Sequence, residues 1–374
     1  MKKFDIVLVL IAILLLVSSC KKEEVVVQTT KEYPITLCVN DDSKATIVPF
    51  LSGTQAAINF EVGDHVYLAY QGYCNNSNVQ VTSIDGNGKI NFSGHIKIET
   101  DVNDSIDKSP LFFYFLGGVY SDNIKDFDYF TEVGLEKTPY YTAVCVSLQN
   151  PKTWNSVYHS PVLCFGKSIQ AFSTANNVYN TTLKNKCSLV KYSLVANEKG
   201  EEISDTAARV YIQGLNNVVE VDFKVAHKYY NEGDSISQKF LGCDRDGFRY
   251  VKREGTIQSK CSPTEKEMKI TNIIIPNRDK NNECYSILLP QENVGKGEGN
   301  ELFGYYFKKD EDGNYIEKDG KCVPTYLKVH FPYDNVVTNK YYECTIEVDE
   351  DQEAAHHPDI IDYPYDAKPL TKLL

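Results

Sequence analysis

The chain of 374 residues carries a formal net charge of −12, with 51 acidic against 39 basic side chains. Such an acidic chain has no electrostatic case for nucleic acid or anionic lipid, which clustered Lys and Arg would have to hold. A content of 42% hydrophobic and 12% aromatic residues, with 26 Tyr, excludes a disordered chain and describes a globular one.

The first predicted element is an export signal. Lys2 and Lys3 precede an apolar run of 12 residues, Ile6 to Val17, which Ser18 and Ser19 close before Cys20. A bilayer-spanning helix needs about 20 residues, so residues 1–19 read as a signal peptide rather than a retained anchor. Val17-Ser18-Ser19-Cys20 is similar to a bacterial lipobox, whose cysteine is acylated and becomes the first mature residue. Buried methylenes contribute about 0.8 kcal/mol each, so several acyl chains hold a protein firmly. Losing Lys2, Lys3 and Asp5 leaves 355 residues at a charge of −13. That length exceeds what one hydrophobic core usually organises, which makes two domains the default.

Residues 20–32 carry little apolar surface beyond Val25–Val27 and read as a lipidated tether. From residue 33 the dominant period is two. Val66–Tyr70, Lys89–Ser93, His95–Glu99, Leu189–Val195, Val219–Val225, Tyr326–Phe331 and Cys344–Val348 alternate apolar with polar residues, as strands with one buried face do. Turn signals punctuate them at Asp85-Gly86-Asn87-Gly88, Asp246-Gly247, Glu311-Asp312-Gly313-Asn314 and Asp319-Gly320. No amphipathic helix longer than about three turns stands out. The expectation is an all-β chain of sandwiches with Greek-key-like connections. The polar stretch from Ser173 to Lys186 marks the boundary between an N-terminal sandwich, 33–180, and a C-terminal one, 181–350, before an acidic, proline-containing tail, 351–374.

Ten cysteines follow Cys20, four before residue 180 and six after it, with no CxxC pair, which argues against a thioredoxin motif or a zinc knuckle. Intradomain disulfides and buried free thiols both suit these even counts. Phe165-Gly166-Lys167-Ser168 ends like a phosphate loop, yet Pro161 occupies the leading glycine position, so a strand-end turn is expected. Neither GxSxG nor HExxH occurs, and no catalytic pair of carboxylates can be nominated, so the chain reads as no enzyme and without a cofactor. Asp310 to Asn314 has its glycine too early for an EF-hand, with Lys321 where a bidentate Glu belongs, and reads as a hairpin turn. His356 and His357, near Asp359 and Asp362, read as a solvated linker rather than a metal site, and the singly placed His95 and His330 as structural histidines. Trp154 with Tyr158, and the pair Tyr140-Tyr141, are candidates for stacking on a glycan, weighed against core packing.

The order of several motifs resembles the fimbrillin family of Bacteroidetes. Phe60-Glu61-Val62-Gly63-Asp64, Ile90-Asn91-Phe92-Ser93-Gly94 and Leu111-Phe112-Phe113-Tyr114-Phe115 are similar to its F-x-x-GD, F-x-G and aromatic strands. Tyr285 to Gln291, ending in Leu289-Pro290-Gln291, and Tyr341 to Ile346 look like its later LPQ and closing strands. Lys21, Lys22, Glu23 and Glu24 are similar to the surface-export signal of lipoproteins in this phylum, and Ser105, Thr206 and Ser235 fit its short O-glycosylation pattern. The resemblance implies two transthyretin-like β-sandwich domains in tandem, assembled into pili by addition of a strand from the next subunit once the N-terminal segment is cut away. It also implies other fimbrial subunits and host or bacterial surface ligands as partners, with the outer membrane engaged through the lipid. One departure stands out: the processing protease of well-known members cuts after arginine, and the first arginine here is Arg209. Either another protease acts or the subunit stays lipidated. The expected function is a surface-exposed outer-membrane lipoprotein acting as a fimbrial or adhesin-type subunit; the alternative is a glycan-binding lipoprotein of a polysaccharide-uptake system.

Overall fold

A computed structural model describes residues 29–39, 46–50, 54–57, 62–63, 65–74, 79–85, 90–100, 109–116, 141–145, 163–205, 207, 209–233, 242–252, 256–258, 267–269, 272–274, 283–296, 301–318 and 321–351. They are nearly all β. The chain begins with β1 (Thr29–Val39), β2 (Thr46–Phe50), β3 (Thr54–Ala57), β4 (His65–Tyr70), β5 (Tyr73–Cys74), β6 (Val79–Ile84), β7 (Ile90–Thr100), β8 (Pro110–Leu116), β9 (Tyr141–Cys145), β10 (Leu163–Ala171) and β11 (Val178–Asn185). It continues with β12 (Ser188–Leu194), β13 (Val210–Gln213), β14 (Val218–Asp222), helix α1 (Phe223–Glu232), β15 (Phe248–Val251), β16 (Thr256–Gln258), β17 (Glu267–Lys269) and β18 (Asn272–Ile274). The last strands are β19 (Glu283–Leu288), β20 (Phe303–Phe307), β21 (Glu317–Lys318), β22 (Lys321–Cys322), β23 (Pro324–His330) and β24 (Tyr341–Val348).

The first sheet has the order β5-β4-β6-β7-β1-β11-β10-β8, and β8 returns to pair with β4 through Tyr67↔Tyr114, Leu68↔Phe113 and Ala69↔Phe112. Apart from β5, its strands therefore close into a ring, which removes the open edges a flat sheet would leave. Leu37 stands between Phe92 of β7 and Tyr179 of β11, and all three are buried. The second sheet is open, in the order β18-β13-β20-β23-β24-β12-β19. Both sheets repeat one device: the leading strand runs parallel to the closing one, β1 to β11 and β12 to β24, while the other pairings in each sheet are antiparallel.

A third sheet, β15-β14-β9, joins residues from both halves of the chain. With α1 it covers the outer aromatic face of the ring. Tyr114 packs against Phe223 at 4.9 Å and Phe248 at 5.6 Å, and Phe112 meets Tyr230 edge-on at 6.4 Å. Leu189 and Ile287 of the second sheet, with Leu289 just after β19, belong to the same apolar cluster as the ring, so the core is continuous between the two large sheets.

Several sequence expectations are corrected. The predicted strand 219–225 stops at Asp222, whose carboxylate accepts a hydrogen bond from the Lys224 amide and caps α1; the alternation continues through Phe223 and Val225, both of which are buried in the helix. Phe165-Gly166-Lys167-Ser168 lies inside β10 rather than at a strand end. A Cβ on Gly166 would stand 2.8 Å from Thr181 Oγ1, so glycine there serves close packing. Predicted strands 89–93 and 95–99 are the single strand β7, continuous through Gly94. Pairing with β7 begins at Thr29, inside the segment expected as tether. Within the stretch expected as a boundary, residues 178–185 form β11 because Tyr179 and Thr181 point into the ring between polar neighbours; the chain crosses to the second sheet at Lys186 and Cys187. No disulfide joins the eight cysteines whose side chains are described, Cys38, Cys74, Cys164, Cys187, Cys243, Cys284, Cys322 and Cys344.

Candidate functional site

Two places in the fold combine unusual geometry with chemistry. The first is the slot that β1 fills. Along β1 the side chains of Ile35, Leu37 and Val39 are 1%, 0% and 4% exposed, whereas the intervening Pro34, Thr36 and Cys38 face outward. On one side β1 pairs with β7 over its full length; on the other it pairs with β11 only from Thr36 to Val39. Its entrance is aromatic: Phe172 contacts Tyr33 at 5.7 Å, Tyr70 at 5.1 Å and Tyr179 at 6.2 Å. The Tyr179 hydroxyl donates to the Ser173 and Asn176 carbonyls and accepts from the Ser173 amide, which fixes the turn before β11. Burial pushes that phenol's pKa up. Full burial of an aliphatic side chain contributes about 1.5–3 kcal/mol, so three such residues make the slot selective for an alternating strand.

The second place is a buried polar knot where the chain crosses between the sheets. Lys186 is 7% exposed, and its Nζ lies 2.6 Å from Asp246 Oδ2 and 2.8 Å from Asp244 Oδ2. The ammonium also stands over the Phe248 ring at 5.0 Å and the Phe165 ring at 5.8 Å. Asp244 Oδ1 accepts from the amides of Asp246 and Phe248, which fixes the turn. Gly247 is required there: at φ 90°, an added Cβ would meet the Asp222 carbonyl oxygen at 2.4 Å. Around the knot, burial pushes the Tyr114 and Tyr250 phenols well up, with Asp246 and Asp244 adding to the shift. The Cys187 thiol is pushed up to about 11, again by burial. The hydroxyls of Tyr114 and Tyr250 are buried and have no hydrogen-bond partner among the described residues.

The sequence reading did not find this knot. In the sequence Lys186 ends a polar stretch and Asp246-Gly247 is a turn signal, and nothing local links Lys186 to Asp244, 58 residues away. The available hint was the acidic pair Asp244 and Asp246 just before an aromatic strand.

The site residues read from the sequence, Cys20, Lys21, Lys22, Glu23, Glu24, Ser105, Thr206, Ser235, Trp154 and Tyr158, lie outside the described residues, as do His356, His357, Asp359 and Asp362. Asp310 does hold a turn, its Oδ1 accepting from the Asp312 and Asn314 amides, and His330 Nε2 lies 2.8 Å from Glu347 Oε1. Among the described residues no group of three metal-ligating side chains forms.

No family model matches the chain, and no curated protein is similar to it. Solved structures are. A candidate cell adhesion protein from Bacteroides uniformis is 12% identical, with 85% of this chain and 93% of that one covered, at a TM-score of 0.38. A fimbrial assembly protein from Parabacteroides distasonis is 10% identical, covering 87% and 98%, at 0.30. A fimbrial protein from Bacteroides ovatus is 13% identical, covering 85% and 50%, at 0.31. At such scores the likeness carries no argument about geometry. The proteins to which this chain is similar are named for fimbriae and cell adhesion.

Proposed function

We propose that the chain is a cell-surface lipoprotein acting as a fimbrial or adhesin-type subunit, anchored in the outer membrane through Cys20 and joined to other subunits by strand addition. The observation that carries this reading is the position of β1. It sits between β7 and β11 with no hairpin to either, and it alone supplies Ile35, Leu37 and Val39 to the ring. Its departure would leave the edges of β7 and β11 unpaired and three pockets open. A strand of the same alternation from another subunit would restore both the backbone hydrogen bonds and the packing. Under the same proposal, the chain forms two transthyretin-like units that meet where it crosses at Lys186 and Cys187, and the work of the protein is binding rather than catalysis.

A protease site engineered into residues 40–45 allows β1 to be cut free after folding. The cut chain should then capture a labelled peptide of residues 29–39 and form ladders that survive mild SDS without boiling. A cut chain that stays monomeric, ignores the peptide and is retarded in glycan affinity gels would favour the glycan-binding alternative. Immunogold label on whole cells should fall on filaments or their ends; even label over the membrane alone would sink both positions.

A further inference from the structure

We propose that Lys186 and Asp246 condense into an intramolecular isopeptide bond, with Asp244 as the group that moves the proton. Such a condensation needs an amine held against a carboxyl group, a proton carrier beside them and walls that hold the pair in place. The knot supplies each. Lys186 Nζ touches Asp246 Oδ2 at 2.6 Å, and it is walled by Phe165 and Phe248. In the proposed reaction a proton first passes from the ammonium to the carboxylate, which gives the amine and the acid that react. Fixed contact replaces a bimolecular encounter. Asp244 keeps Oδ1 on two backbone amides and presents Oδ2 to the same Nζ at 2.8 Å.

In the reaction the Nζ lone pair forms a bond to Asp246 Cγ, and the carbonyl π pair moves onto oxygen. Asp244 Oδ2 takes a proton from the nitrogen and passes it to the hydroxyl that departs, so the C–O bond breaks and water leaves. The balance is one ammonium and one carboxylate giving one amide and one water, with no oxidant or reductant. The Tyr114 hydroxyl stands at this turn, 3.7 Å from where a Gly247 Cβ would be, and no partner for it exists among the described residues. It is a hydrogen-bond donor for the oxygen of the tetrahedral intermediate and of the amide. Lys184 serves as an internal contrast, since its Nζ also faces Asp246, at 3.9 Å, but its side chain is 68% exposed and its ammonium stays hydrated.

The bond would tie the crossing between the two large sheets to the turn before β15, closing a long loop of chain and restricting the unfolded state. A protease digest of the purified full chain, read by tandem mass spectrometry, tests this. The expected result is a branched peptide joining Lys186 to Asp246, lighter by one water than its two arms. Two unbranched peptides from a chain that melts cooperatively would overturn the proposal. Lys186→Arg preserves the charge and should abolish the branch; a branch that persists there would place the bond elsewhere and refute it. Asp244→Asn, with folding checked by its melt, should leave the arms largely separate, and full branching would remove Asp244 from the mechanism.

Discussion

The Thr36 amide donates to the Asn177 carbonyl at 2.6 Å, and from this bond onward β1 runs parallel to β11. Backbone groups alternate sides along a strand, so residue 34 faces the same side as Thr36. No described strand pairs there before Thr36. Pro34 stands where an amide would point at that open edge, and proline has no N–H to offer; this explains how a proline is tolerated in an 11-residue strand.

Replacing it should therefore expose an edge donor. Pro34→Thr is expected to raise self-association at a given concentration, read by light scattering or sedimentation. An unchanged monomer would count against an open edge.

Within β1, inward and outward positions should separate cleanly. Leu37→Ala is expected to cost about 2–5 kcal/mol in denaturant unfolding, as large-to-small core changes do. Cys38→Ala, at an outward position, should stay within about 0.5 kcal/mol. Equal effects would contradict the assigned faces.

Gly166→Ala tests the contact between β10 and β11. The added methyl would meet Thr181 Oγ1 at 2.8 Å and Leu183 Cδ2 at 2.9 Å. Overpacking of this kind costs about 1–3 kcal/mol, which thermal unfolding would register; a neutral result would show that the strands can separate there without penalty.

Stability should fall in alkali. The Cys187 thiol, raised by burial from 9.0 to about 11, keeps its proton when folded at pH values where the unfolded chain loses it. Its contribution is thus fully present below about pH 9 and is lost as pH rises toward 11. Two pKa units correspond to about 2–3 kcal/mol. Cys187→Ala should flatten this part of the stability profile, and an unchanged slope would argue against the buried thiol.

The strands that face the core on one side were legible in the sequence. Val66–Tyr70, Leu189–Val195, Tyr326–Phe331 and Cys344–Val348 coincide closely with β4, β12, β23 and β24, since a half-buried strand must alternate. Misreadings fell where local pattern and tertiary demand diverge. Phe223 and Val225 continue an alternation that the Asp222 cap ends. The strand β8, buried on both faces, carries no period and was legible only through its resemblance to the family's aromatic strand. The sites read from the sequence fall outside the described residues, while the Lys186 knot had no local signature at all.

The sequence by itself determined that this is a β chain, with turns at Asp246-Gly247 and Asp312-Gly313, because side-chain period and backbone sterics are local properties. Tertiary structure alone decided which strands meet: that β8 closes onto β4, that β9 joins β14 across the halves of the chain, and that Lys186 lies against Asp244 and Asp246. Backbone hydrogen bonds are the same for every residue, so partners are chosen by the burial of distant side chains, which no short window of sequence contains.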